Sequence, residues 1–262
     1  MKSLFAFYST LSLGCLLASS ATAATLSGFV AASSSSSLGT GPLNANLTGT
    51  GGIDWALWND VSNSAVSSFA PTNWKASDPL GLHSVNITPV PVVGQSASNT
   101  VRGSSSTTTT TFSYTDGTSP TSASGTSGLV FNNDLNFSGT GIQLQIKGDP
   151  AQLLQLDIWA GGFAATGNLT VTLPNATPVT LTSQAYSSIA PKDATLFTLF
   201  YQPDSASDLL TIAYTASNTT TNGHVAIQAV SIAAVPEPAT ATLILGTLAL
   251  GGFSRRRKVI AA

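Results

Sequence analysis

The chain has 262 residues, of which 42% are apolar and only 8% charged, with one cysteine, two histidines and a formal net charge of −2. That composition excludes an intrinsically disordered polyelectrolyte, a disulfide-stapled miniprotein and a cysteine-rich metal module. Residues 24 to 234 hold only Lys75, Arg102, Lys147 and Lys192 against ten aspartates, a balance of −6, which leaves no cationic footprint for nucleic acid.

The chain opens with Met1 and Lys2, an apolar run from Leu4 to Leu17, and Ala21-Thr22-Ala23, a small-x-small triplet. Charged start, greasy middle and small-residue end read as a secretory signal peptide over residues 1–23, removed before Ala24. Cys15 leaves with it, so the mature chain has no cysteine.

The first part of the mature chain carries weak signals. Ser33 to Ser37 and Ser104 to Thr111 are hydroxyl-rich stretches that read as loops or linkers. Between and after them, Asp54-Trp55-Ala56-Leu57-Trp58, Phe112 to Thr118 and Leu129-Val130-Phe131 are compact islands of strand or turn.

From Leu129 to Ala234 the pattern sharpens. Ile142, Leu144 and Ile146 alternate with Gln143 and Gln145, and Leu154, Leu156 and Ile158 alternate with Gln155, Asp157 and Trp159. Such alternation predicts strands with one buried face. Leu169 to Leu173 and Val179 to Thr182 repeat it with threonines outward. Leu196 to Tyr201, Leu209 to Tyr214 and Val225 to Ile232 are apolar on both faces and predict strands covered on both sides. Gly148-Asp149-Pro150, Gly161-Gly162, Gly167-Asn168, Pro174-Asn175, Pro203-Asp204 and Asn222-Gly223 are the turn signals between them. Short strands at this spacing predict an all-β fold, an antiparallel β-sandwich or jelly roll, as one domain over residues 24–234.

The chain closes with Val235-Pro236-Glu237-Pro238, an apolar run from Ala239 to Phe253, and Arg255-Arg256-Arg257-Lys258. As a helix the run would span roughly 23 Å, short of the roughly 30 Å hydrocarbon core, which predicts transient rather than permanent membrane retention. The cations after it favour a cytoplasmic C-terminus and place everything before Pro236 outside. Pro236 and Pro238 lack N–H donors and fix φ, so the Pro-Glu-Pro strip should be extended.

This tail, residues 235–258, resembles the sorting signal of the PEP-CTERM proteins of Gram-negative bacteria. The resemblance implies recognition of Pro236, Glu237 and Pro238 by exosortase, a membrane transpeptidase-like processing enzyme. It also implies membrane retention through the apolar segment, with Arg255, Arg256 and Arg257 as the basic stop. The protein would be exported, tethered to the inner membrane as a precursor, then delivered to the envelope surface or extracellular matrix.

The catalytic inventory is thin. The only glutamate is Glu237, inside the tail, so a glutamate-based glycosidase is excluded for the mature domain. Asp54 with Asp60, Asp116 or Asp157 are the carboxylate pairs a polysaccharide hydrolase could use. His83 and His224 lack a Gly-x-Ser-x-Gly elbow and metal-ligand spacing. Asn132, Asn133 and Asp134 offer oxygen donors to calcium without the spacing of a calcium loop, so no cofactor or metal is expected. Trp159, Gln155 and Asp157 share a predicted strand face, a stacking plane beside hydrogen-bonding groups, and form the candidate carbohydrate site. Trp55, Trp58 and Trp74 could add to it from loops. The sequence thus reads as a non-enzymatic envelope or matrix protein with a structural or carbohydrate-binding role, its partner an exopolysaccharide. An aspartate-dependent hydrolase and a subunit that self-assembles through strand edges are the alternatives.

Overall fold

The computed structural model describes residues 23–35, 42–50, 52–59, 63–92, 99–104, 108–135, 137–188 and 193–236. The signal-peptide residues 1–22 and the tail from Glu237 onward lie outside the described residues. The strands are β1 (Thr25–Ser34), β2 (Ala45–Asn46), β3 (Asp54–Leu57), β4 (Ala65–Val66), β5 (Asn73–Trp74), β6 (Thr88–Val90), β7 (Val101–Ser104) and β8 (Phe112–Tyr114). They continue as β9 (Ala123–Thr126), β10 (Leu129–Asn132), β11 (Gly141–Lys147), β12 (Leu154–Thr172), β13 (Val179–Ala185), β14 (Asp193–Gln202) and β15 (Leu209–Ala234). One α-helical turn, α1 (Leu47–Thr50), and a 3-10 turn over Leu82–Ser84 are the helical elements among the described residues.

The architecture follows from the length of β12 and β15. The first half of β12 pairs with β14 on one side, Leu156 opposite Leu199, and with the end of β15 on the other, Leu156 opposite Ile232. Its second half pairs instead with β13, Leu169 opposite Leu181, and with the start of β15, Leu169 opposite Tyr214. Register shifts between Trp159 and Ala160, Phe163 and Ala165, and Thr166 and Gly167 separate the halves, and Ala164 stands there at φ 49°. The sheet therefore curls over, and both halves close on one core. Leu154, Leu156, Ile158, Leu199 and Ile232 from one layer share it with Ile142, Leu144, Ile146, Leu169 and Ile212 from the other. β1 extends the first layer beyond β14, and β11 and β6 extend the second beyond β15. Gln184 Nε2 donates to the Ser34 carbonyl at 2.9 Å, tying β13 to β1 where the layer edges meet.

Three turn expectations change. Gly161-Gly162 and Gly167 lie inside β12, and Asn222-Gly223 lies inside β15, so four expected strands are two bent ones. These glycines make room for side chains. A Cβ at Gly162 would collide with the Tyr186 ring, and one at Gly167 with the Tyr214 ring. The two phenol hydroxyls hydrogen-bond to each other in the core.

The hydroxyl-rich stretches are also not simply surface loops. Thr108, Thr109 and Thr110 are buried, as are Ser34 and Ser35. Ser34 and Thr109 hydroxyls meet at 2.5 Å, and Gln228 Nε2 donates to Thr108 Oγ1 at 2.9 Å, so these three hydroxyls enter the interior partnered, whereas Thr110 Oγ1 and Gln228 Oε1 are buried without a hydrogen-bond partner among the described residues. A small second sheet, β2-β8-β9, joins β2 to β8 in parallel and β8 to β9 in antiparallel fashion. It covers part of the outer face of the first layer.

Candidate functional site

That outer face is where the alternation of β12 points Gln155, Asp157 and Trp159, opposite the buried Leu154, Leu156 and Ile158. Register sets their neighbours. Phe29, Thr198, Asp157 and Ser231 form one row across β1, β14, β12 and β15, and Ser27, Phe200, Gln155 and Ala233 form the next.

Within these rows the Asp157 carboxylate is held in place. Thr198 Oγ1 donates to its Oδ1 at 2.6 Å, and Gln155 Nε2 lies 3.2 Å from each carboxylate oxygen. Two strands away, at roughly 10 Å given the spacing of paired strands, Phe29 is 50% exposed on the edge strand. Its ring centroid lies 6.4 Å from that of the half-buried Phe200. Two phenyl faces thus border a fixed carboxylate and amide on an open sheet surface.

Trp159 does not belong to this surface. It is 3% exposed, under the second sheet, in a cluster with Leu47, Trp55, Leu57, Phe112, Tyr114 and Ala229. The three residues share one strand face, as the alternation predicts, but Trp159 is not available for stacking: it occupies the third row, opposite Leu196, where β8 lies over the sheet. Trp55 and Trp58 are also wholly buried, and only Trp74 keeps partial exposure. The residue that sequence reasoning missed is Phe29, just after the signal peptide. Its signal is an apolar residue out of phase with Leu26 and Gly28, which face inward.

The aspartates named as catalytic candidates do not converge among the described residues; Asp60 lies outside them. Asp54 is wholly buried and accepts from the backbone N–H of Trp55 at 2.9 Å and of Leu80 at 3.0 Å. Burial pushes its carboxyl up to about 6, with the two amides opposing. Asp116 accepts from the Trp55 indole Nε1 at 2.9 Å and Thr48 Oγ1 at 2.6 Å, with Lys75 Nζ at 3.7 Å. Partial burial acts to raise its pKa, but Thr48, Trp55 and Lys75 outweigh it and hold the carboxyl below its ordinary value. Asp157 lies on the outer face and pairs through Ser231 to Trp55, whereas Asp54 sits one residue out of phase, opposite Ile232. Their side chains leave the sheet on opposite faces.

His83, in the 3-10 turn, contacts Asp78, and the buried His224 lies between the rings of Phe131 and Phe163. The Asn132 amide donates to the Asp134 carbonyl and its oxygen accepts from Val225 N–H, so this candidate calcium donor is spent internally. No group of three His, Cys, Asp or Glu side chains gathers among the described residues.

At the end of the domain Ala234 still pairs with Leu154, and Val235 N–H donates to the Leu153 carbonyl at 3.0 Å. Pro236 follows, exposed. Glu237, Pro238, Arg255, Arg256 and Arg257 lie outside the described residues. Among those described, no helix is long and apolar enough to cross a membrane.

The sequence pattern of the PEP-CTERM protein-sorting motif matches residues 234–258. The chain is therefore a PEP-CTERM domain-containing protein, exported and secreted by way of the envelope, with a tail of the kind exosortase processes. No curated protein matches the chain. Among solved structures, the enzymatically active domain of tailspike protein 4 of bacteriophage CBA120 is similar over 68% of this chain and 20% of that one, with 12% identity and a TM-score of 0.30. The chain thus spans about a fifth of that protein, and so distant a likeness transfers nothing to it.

Proposed function

We propose that the protein is a non-catalytic component of the cell envelope or extracellular matrix that holds exopolysaccharide on the outer face of its first layer. The observation that carries this reading is the exposed Phe29 and half-buried Phe200 beside the fixed Gln155–Asp157–Thr198 cluster. Phenyl faces pack against the C–H face of a pyranose, and a carboxylate with an adjacent amide accepts and donates to ring hydroxyls. The sorting tail would retain the precursor at the inner membrane through residues 239–253 until exosortase acts.

The test is cosedimentation of the secreted protein with the exopolysaccharide of the producing cells. Phe29→Ala with Phe200→Ala should abolish cosedimentation while leaving the thermal melt nearly unchanged. Retention as strong as wild type would overturn the reading, as would release of new reducing ends from the polymer.

A second reading draws on the same strand. Among the described residues β1 pairs only with β14, and Phe29 and Val30 are exposed on it, so a second copy could add to this edge. Concentration-dependent oligomers that vanish in Phe29→Ala, without polymer binding, would favour that assembly role.

A further inference from the structure

A second candidate binding site lies on the other layer. β6 pairs with β11 only from Gly141 to Gln143, and beyond Gln143 the edge of β11 opens into a trough of about 360 Å3. The far wall is the segment from Leu80 to Thr88, which turns away through the 3-10 turn. The volume falls at the lower end of small-ligand sites, about 300–1,000 Å3.

Its lining has two characters. Leu80, Leu144 and Leu209 contribute apolar surface. Asn86, Gln143 and Lys147 contribute polar side chains that donate to and accept from no other described group. Gln145 is different: its amide donates to Thr211 Oγ1 at 3.1 Å and fixes that rim.

Lys147 gives the trough its specificity. In a domain of net negative charge, Lys75 is paired with Asp116 and Arg102 donates to the Asn63 carbonyl. Among the described residues Lys147 is the cation left without a partner. Asp149, two residues on, and Asp208, beside the Leu209 that pairs with Lys147, each accept a backbone N–H, from Ala151 at 2.8 Å and from Ser205 at 3.1 Å, and neither forms an ion pair with Lys147. An ammonium beside unspent amides and an apolar floor suits a ligand with a carboxylate, vicinal hydroxyls and a C–H face.

We propose that this trough binds an acidic sugar residue of a polysaccharide, its carboxylate on Lys147 and its hydroxyls on Asn86 and Gln143. The proposal rests on the polysaccharide reading for its class of partner, but it uses none of the same residues. An acidic peptide laid along the edge of β11 is the competing occupant, and the test separates the two.

The experiment is affinity electrophoresis of the full chain through gels containing polygalacturonate, neutral dextran or poly-glutamate. Retardation by polygalacturonate alone is expected, with affinity about tenfold weaker in Lys147→Gln, the loss of one charge-assisted contact. Asn86→Ala should weaken it further, and Phe29→Ala should leave it unchanged. Lys147→Gln keeps the fold testable, because it is the backbone carbonyl of Lys147 that accepts from the Tyr201 hydroxyl, at 2.9 Å. No retardation by polygalacturonate, equal retardation by poly-glutamate, or wild-type behaviour of Lys147→Gln would overturn the proposal. Loss in Phe29→Ala with none in Lys147→Gln would overturn the trough and leave the outer-face reading standing.

Discussion

Phe112 meets Trp159 edge-on, ring centroids 5.8 Å apart at an interplanar angle of 89°. This contact fastens the small sheet onto the first layer, because Phe112 belongs to β8 and Trp159 to β12. It converts the middle of an outer sheet face into a second core, and it leaves the Phe29 side of the same face open.

Trp159→Ala should therefore behave as a core truncation. A loss of about 3–5 kcal/mol is expected on removing a buried aromatic side chain. Urea unfolding checks the magnitude. Polymer retention at low temperature, where the variant stays folded, should match wild type, and a selective loss of retention would return Trp159 to the binding surface.

Asp54 should make stability depend on pH in an unusual direction. Burial raises its folded pKa to about 6 from 3.8, so the folded state keeps the proton longer than the unfolded one. The contribution of Asp54 is then greatest below about pH 4 and is lost, about 3 kcal/mol in all, as pH rises through about 6. Asp116 acts oppositely, since its folded pKa is lowered: its contribution is present above about pH 4 and lost below. Melting curves from pH 4 to 6 should slope downward in wild type and flatten in Asp54→Asn.

Two glycines should respond to alanine in contrasting ways. A Cβ at Gly141 would overlap the Tyr214 carbonyl oxygen and come within 2.6 Å of the Thr215 Cα, both backbone atoms of the partner strand. At Gly52 nothing lies within 4 Å. Gly141→Ala should cost about 2 kcal/mol or more through forced separation of β11 from β15, and Gly52→Ala should cost nothing measurable. Equal melting temperatures for the two would contradict this packing.

Replacing Pro236, Glu237 and Pro238 together by alanine should leave a precursor in the membrane fraction that still carries Arg255 to Ala262. Intact mass of the membrane and medium fractions reads this directly. Normal maturation of that variant would remove the Pro-Glu-Pro strip from exosortase recognition.

The strands most legible in the sequence are those whose two faces differ. Ile142 to Ile146 predicted β11 within a residue at each end, because glutamines alternate with buried aliphatics. The continuity of β12 was hidden by Gly161, Gly162 and Gly167. A glycine that bends a strand to admit a tyrosine ring and one that reverses the chain look alike until the ring is placed. Trp159 was misread for a related reason. Alternation reports which face a residue occupies, but the covering of that face comes from Phe112 and Leu47, far away in sequence with no periodic signal of their own. The sorting tail was legible because its information is local: two prolines, an apolar run and a block of arginines.

The hydrogen bond from Val235 to Leu153 also bears on the order in which the molecule can come into being. β15 is paired on both sides in each layer and is the last strand among the described residues, ending at Ala234, two residues before Pro236. A chain threaded outward from its N-terminus cannot close either layer until residues 209–234 have crossed. By then the sorting signal is the next stretch of chain, so under the proposed membrane retention, folding outside and arrest of the tail would be nearly simultaneous events.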